Sequence, residues 1–258
     1  MAAQYVVFFS PTKTSKKVAC ALAEGAGFAD AIILDLTSPA TRETFTLACN
    51  ADDTLIFAFP VYAGRVPSFL QEPLARMAGN GAKAIPVAVY GNRDFDDALR
   101  EAADILEERG FSIAAAATFI GEHSFTRNVA GGRPDAEDLE TARAFGAQIA
   151  EALAGTAGDT TRPAFKGAFP YKETKGAMPF APVTSDACVA CGLCARVCPM
   201  GNINADDLTQ AGANCIQCCA CVKNCPKGAK SFNAEPLAGI IAFLEGNCQA
   251  RKEPELFL

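Results

Sequence analysis

Nine of the twelve cysteines in this chain fall between Cys188 and Cys225, and their spacing repeats. Cys188, Cys191, Cys194 and Cys198 form a C-x2-C-x2-C-x3-C run closed by Pro199. Cys215, Cys218, Cys221 and Cys225 form it again before Pro226, each cysteine displaced by the same 27 positions, and Gly201 and Gly228 correspond as well. Thiolates at such density hold metal in a reducing compartment. A zinc ribbon uses two C-x2-C pairs across a longer loop. Three cysteines at three-residue steps instead wrap three corners of a four-iron cube and leave the fourth corner to a distant thiolate. Two copies of the run therefore predict two [4Fe–4S] clusters in a unit with pseudo-twofold symmetry. The proline after each fourth cysteine redirects the chain.

The region 184–234 resembles the dicluster bacterial ferredoxins. In that family the fourth cysteine of each run serves the other cluster. The resemblance implies that Cys188, Cys191, Cys194 and Cys225 hold one cluster and that Cys215, Cys218, Cys221 and Cys198 hold the other. Cys219, opposite Gly192 in the repeat, reads as a small side chain filling a crowded loop. Cys20, Cys49 and Cys248 read as ordinary buried cysteines.

The segment ahead of this module alternates apolar runs with helical patterns. Strands are expected at 4–9, 31–36, 54–59, 83–90 and 111–120, although Pro86 weakens the fourth. Helices are expected at about 15–26, 67–78, 95–109 and 135–154. Five apolar strands interleaved with four helices define an α/β domain over 1–155 with a parallel sheet covered on both faces. Residues 156–183 read as a linker or wrapping segment, broken by prolines and carrying Arg162, Lys166, Lys172 and Lys175. Residues 235–258 read as a helical tail.

The first domain resembles the flavodoxins, doubly wound five-stranded sheets of order 2-1-3-4-5 that carry FMN. The loop after the first strand, Ser10-Pro11-Thr12-Lys13-Thr14-Ser15, is similar to the family's Thr/Ser-x-Thr-Gly-x-Thr phosphate loop, with Lys13 where glycine is common. Hydroxyls at a helix N-terminus suit a phosphate dianion. The resemblance implies that Ser10, Thr12, Lys13, Thr14 and Ser15 hold the FMN phosphate. The loops Pro60-Val61-Tyr62-Ala63-Gly64-Arg65 and Tyr90-Gly91-Asn92-Arg93-Asp94-Phe95 would flank the flavin at the carboxyl ends of the strands. Tyr62 or Tyr90 would stack on the ring, and Gly64 or Gly91 would let a peptide approach it. Arg65, Arg93, Arg127 and Arg133 fall in loops on the same edge and suggest an anion site or docking patch. His123, the one histidine, reads as a hydrogen-bonded loop residue. No Gly-x-Gly-x-x-Gly follows a strand, so no nicotinamide-nucleotide fold is expected.

Over nearly its whole length the chain thus resembles fusions of a flavodoxin-like domain with a two-cluster ferredoxin. The implied activity is electron transfer between FMN, two clusters and redox partner proteins. A flavin enzyme reducing a small acceptor such as a quinone, and an FMN-free docking domain, are its rivals. Composition agrees: half of the 258 residues are hydrophobic and the net charge is −6, which argues against nucleic-acid binding. The N-terminus lacks a signal-peptide pattern, and no apolar run approaches the ~20 residues of a membrane span. A cytoplasmic protein is expected.

Overall fold

The computed structural model describes residues 2–155, 161–174, 178, 180–233 and 235–258. Residues 156–160, 175–177 and 179 of the expected linker, Lys175 among them, lie outside the described residues. Five parallel strands build the main sheet: β1 (Gln4–Phe8), β2 (Ile32–Asp35), β3 (Thr54–Pro60), β4 (Lys83–Tyr90) and β5 (Ala116–Ile120). Their order is β2-β1-β3-β4-β5. Side chains alternate across it with period two. Val7, Leu55, Phe57, Ala88 and Ile120 enter one core layer, and Val6, Phe8, Ile56, Val87 and Phe119 the other.

Helix α1 (Thr14–Gly25) and helix α3 (Ala136–Gly155) cover the second layer with Val18, Leu22, Phe145 and Ile149. They lie so close that a Cβ on Gly146 would stand 2.1 Å from the Leu22 carbonyl oxygen. Helix α2 (Ala98–Glu108) closes the first layer with Leu99, Ala102 and Leu106.

Several expectations are corrected. The helix expected at 67–78 is one 3-10 turn, Ser68–Leu70, and a short helix, Gln71–Ala75; Pro73 has no N–H to carry it further. Pro86 lies inside β4 rather than excluding it. Lys83 and Ala84 pair with Ser112 and Ile113, whereas Val87 to Tyr90 pair with Ala117 to Ile120. The fifth strand therefore gains one residue opposite Pro86, a bulge where no ladder donor is required. The tail is helical only over α6 (Glu235–Asn247). Beyond it β6 (Glu255–Phe257) joins the main sheet antiparallel to β5, where a free edge offered unpaired backbone groups. Cys20 is exposed rather than buried.

The stretch 161–174 wraps along α2. Arg162 pairs with Asp104 at 2.5 Å and Glu107 at 2.7 Å, Lys166 with Asp94 at 2.8 Å, and Lys172 with Asp96 at 2.9 Å. Among the described residues, no helix is long and apolar enough to cross a membrane.

Candidate functional site

The two cysteine runs adopt matching backbone conformations. A two-stranded antiparallel sheet, Val183–Thr184 with Lys230–Ser231, joins the ends of the module. Each run bends through paired left-handed residues: Ala190 and Gln217, Gly192 and Cys219, Gly201 and Gly228. The short helices α4 (Leu193–Arg196) and α5 (Ala220–Lys223) start immediately after Gly192 and Cys219. Cys219 thus stands at a left-handed cap (φ 60°), a conformation that favours glycine. Its side chain is buried, with Sγ 3.6 Å from the Gln217 carbonyl oxygen. Each fourth cysteine accepts a backbone hydrogen bond four residues on. Asn202 N donates to Cys198 Sγ at 3.3 Å and Ala229 N to Cys225 Sγ at 3.2 Å.

The eight thiols ring two voids. One is lined by Cys198, Cys215, Cys218 and Cys221, with Cys219 also on its wall. The other is lined by Cys188, Cys191, Cys194 and Cys225. Each void draws three thiols from one run and the fourth from the other. Among the described residues, no three Cys, His, Asp or Glu side chains converge on a point as a single ion requires. Four thiols around each void suit a four-iron cluster, in which each iron takes one thiolate. Burial, then repulsion from neighbouring thiolates including Cys198, pushes Cys221 up to about 12 and Cys218 higher still. Metal loading there must release protons.

The module docks on the carboxyl edge of the main sheet, with the first void inward. Ile216 packs onto the core layer that holds Phe9 and Phe59, joined by half-buried Tyr62. Tyr62 meets Phe9 edge-on at 6.5 Å. Burial, then the charge of Cys218 and Cys219, raises the Tyr62 phenol far above its ordinary range. Two contacts lock the seat. Lys223 on α5 pairs with Glu122 at 2.5 Å and donates to the His123 carbonyl at 2.7 Å. Buried Arg42, from the short helix Pro39–Thr44, donates to the carbonyls of Leu36, Thr37 and Pro199. Sequence reasoning missed Arg42 and its helix; no local pattern marks an arginine whose partner lies 157 positions away.

The phosphate-loop candidates gather at the N-terminus of α1. Lys16 N donates to Ser10 Oγ at 3.0 Å, and the hydroxyls of Thr12 and Thr14 lie 3.4 Å apart. Ser15 is fully buried and its Oγ has no partner. An orphaned hydroxyl costs about 1–3 kcal/mol, so it marks a place where an acceptor is missing. Lys13 sits at φ 67°, the conformation that explains glycine at this position in flavodoxins. This loop fits a phosphate.

The ring-flanking candidates divide. Pro60, Val61 and Tyr62 are half-buried, Ala63 is exposed, and Gly64 backs onto Asp96. Tyr90 and Phe95 are corrections: both are buried in the core, 5.6 Å apart. The period-two alternation of β4 turns Tyr90 inward, and Phe95 from the following loop packs into the same core layer. Gly91 lies against the His123 ring, and Asn92 donates to the carbonyls of Cys248 (2.7 Å) and Ala250 (2.9 Å). The Arg93 carbonyl accepts from Lys252 at 2.5 Å. Nor do the arginines form an open anion patch. Arg65 is paired to Glu101 at 2.7 Å, Arg93 to Asp96 and Arg133 to buried Asp138; Arg127 alone of the four is exposed.

His123 Nδ1 accepts a hydrogen bond from Phe125 N at 3.1 Å. Burial, then the positive charges of Lys223 and Arg93, lowers the imidazole from 6.5 to about 4. The folded chain thus favours neutral His123. That contribution to stability is complete above 6.5 and is lost as pH falls toward about 4. Denaturant unfolding of His123→Gln should lose part of the wild-type pH dependence across this window; identical slopes for the two proteins would show that His123 does not contribute.

Fold and site together define a class: a flavodoxin-like domain joined to a ferredoxin-like cysteine module. The family model described as a 4Fe-4S binding domain matches residues 181–204, the first of the two runs. Among solved structures, a short-chain flavodoxin associated with a non-canonical PDU bacterial microcompartment is 15% identical, covering 61% of this chain and 100% of its own, with a TM-score of 0.42. A flavodoxin of Streptococcus pneumonia TIGR4 is 20% identical over 59% of this chain and 98% of its own, with a TM-score of 0.39. A Fusobacterium nucleatum flavodoxin bound to flavin mononucleotide is 16% identical over 60% and 96%, with a TM-score of 0.37. No curated protein matches the chain in sequence. A segment matching a 4Fe-4S binding domain thus stands beside a flavodoxin-like fold.

Proposed function

We propose that the chain is an electron-transfer flavo-iron-sulfur protein, with a [4Fe–4S] cluster in each four-cysteine void and FMN at the carboxyl edge of the sheet. The observation that carries this reading is the pair of symmetric voids, the inner one seated against Tyr62 at the edge where doubly wound sheets bind ligands. FMN exchanges one or two electrons and iron–sulfur centres exchange one, so the pair can join two-electron and one-electron partners. The chain supplies the frame. Ser10, Thr12, Lys13, Thr14 and Ser15 would hold the phosphate, Tyr62 would border the flavin, and the Lys223–Glu122 pair and Arg42 keep the module seated. The partners are other redox proteins, and the reduced thiols suit a cytoplasmic setting.

A specific observation favours a second reading. The chain's own segment 248–252 holds Asn92 and Arg93 and lies over Tyr90, where a flavin-flanking loop would otherwise be free. On that reading the first domain only docks a partner and the clusters alone carry electrons. Cofactor analysis of anaerobically purified protein decides between them. We expect about eight irons and about eight labile sulfides per chain, with about one FMN; the same iron without flavin favours the docking domain. Stoichiometric zinc without labile sulfide would end both readings.

A further inference from the structure

The two halves of the cysteine module are not equal in charge. Ile203 lines the inner void, and the residue 27 positions on, at the same place in the repeat, is Lys230, which lines the outer void. Met200 and Lys227 stand in the same relation. Lys227 is exposed, but Lys230 is only 2% exposed. Its ammonium donates to Thr184 Oγ1 at 2.6 Å and to the Leu208 carbonyl at 2.5 Å. Among the described residues it forms no ion pair with a carboxylate. Asp207 feels its charge, but that carboxylate is exposed and accepts from Thr209 and Gln210. A buried ammonium without an anion is costly, and an apolar residue fills the equivalent place in the other half at no such cost.

We propose that Lys230 is the fixed counter-charge of the cluster in the outer void, whose wall it lines, and that it raises that cluster's reduction potential more than the inner cluster's. This rests on the reading that both voids hold clusters. A cubane on four thiolates is anionic and becomes more negative on taking up an electron. A positive charge at its wall therefore stabilises the reduced form more than the oxidised one. With isoleucine at the inner site, the exchange breaks the symmetry of the repeat, and the Lys230 charge favours an electron on the outer cluster relative to a neutral residue at the same place. Arg42 reaches the inner half through the Pro199 carbonyl and the Met200 sulfur, so each cluster must be read separately.

The test is a potentiometric titration of the anaerobically reconstituted full chain, followed by paramagnetic resonance. Wild type is compared with Lys230→Met, Lys230→Gln and Lys230→Arg. Lys230→Gln keeps donors for Thr184 and Leu208 while losing the charge. In both neutral variants one signal should shift its reduction equilibrium tenfold or more toward the oxidised form, about 59 mV for one electron. The other signal should move far less, and Lys230→Arg should stay with wild type. The moving signal should be the one altered by Cys225→Ala. Iron loss confined to one cluster in both neutral variants, restored by arginine, also supports the proposal. Unchanged potentials at full iron content, equal shifts of both signals, or equal effects of all three variants overturn it. A wild-type chain that binds fewer than two clusters overturns instead the reading on which it rests.

Discussion

Cys198→Ala should strip the inner void of its cluster while sparing the outer one. Cys198 belongs to the first run in sequence but stands with Cys215, Cys218 and Cys221 around one void. Its neighbours Cys188, Cys191 and Cys194 keep Cys225 as their fourth thiol. Iron should therefore fall to about half of the eight expected for two cubanes, with one paramagnetic signal lost on reduction. Cys225→Ala should remove the other. Combinations make the test sharp. Added to Cys188→Ala, the Cys225→Ala change should cost little more iron, because both serve one site, whereas Cys198→Ala should remove what remains. Redundancy of Cys188→Ala with Cys198→Ala would mean that each run holds its own cluster. Either fourth-cysteine variant should also loosen the module, since Cys188, Cys194, Cys198 and Cys221 share one small core with Ile203 and Leu208. With so few apolar residues there, metal binding supplies much of the folding free energy.

The second large effect concerns the flavin. Thr12→Ala combined with Ser15→Ala should weaken FMN binding by about a hundredfold or more, because each hydrogen bond to a charged group is worth about 1.5–3 kcal/mol. The free chain should pay little for the change: among the described residues Ser15 Oγ is buried without a partner, and the Thr12 hydroxyl makes a long 3.4 Å contact with that of Thr14. An unaltered unfolding midpoint with lost flavin affinity is the expected pair of results, read by flavin fluorescence and denaturant titration of the full chain. Equal FMN affinity in wild type and the double variant would remove the phosphate loop from the proposed site. No affinity in either protein would leave the first domain as a docking module.

What could be read from residues alone is what local spacing encodes. Continuous apolar runs in 54–59 and 83–90 mark strands buried on both faces, and the cysteine runs carry their repeat in the sequence itself. The hydroxyl loop at 10–15 is equally local, because a helix start and its anion-binding groups are adjacent in the chain. The rest depends on contacts between distant segments. Tyr90 and Phe95 resemble flavin-flanking residues in order and type, yet packing against the first core layer buries both. Glu255–Phe257 becomes a strand only because β5 presents a free edge. Arg42 acquires its role from a proline carbonyl in another module, and the arginines of the sheet edge are neutralised by acids that sequence order does not reveal. Lys230 shows the division most sharply. The 27-residue repeat sets it opposite Ile203 in sequence. That its ammonium is buried at the wall of one void, held by a hydroxyl and a carbonyl, follows only from the strand pairing that sets Thr184 beside it and the tertiary fold that brings Leu208 there.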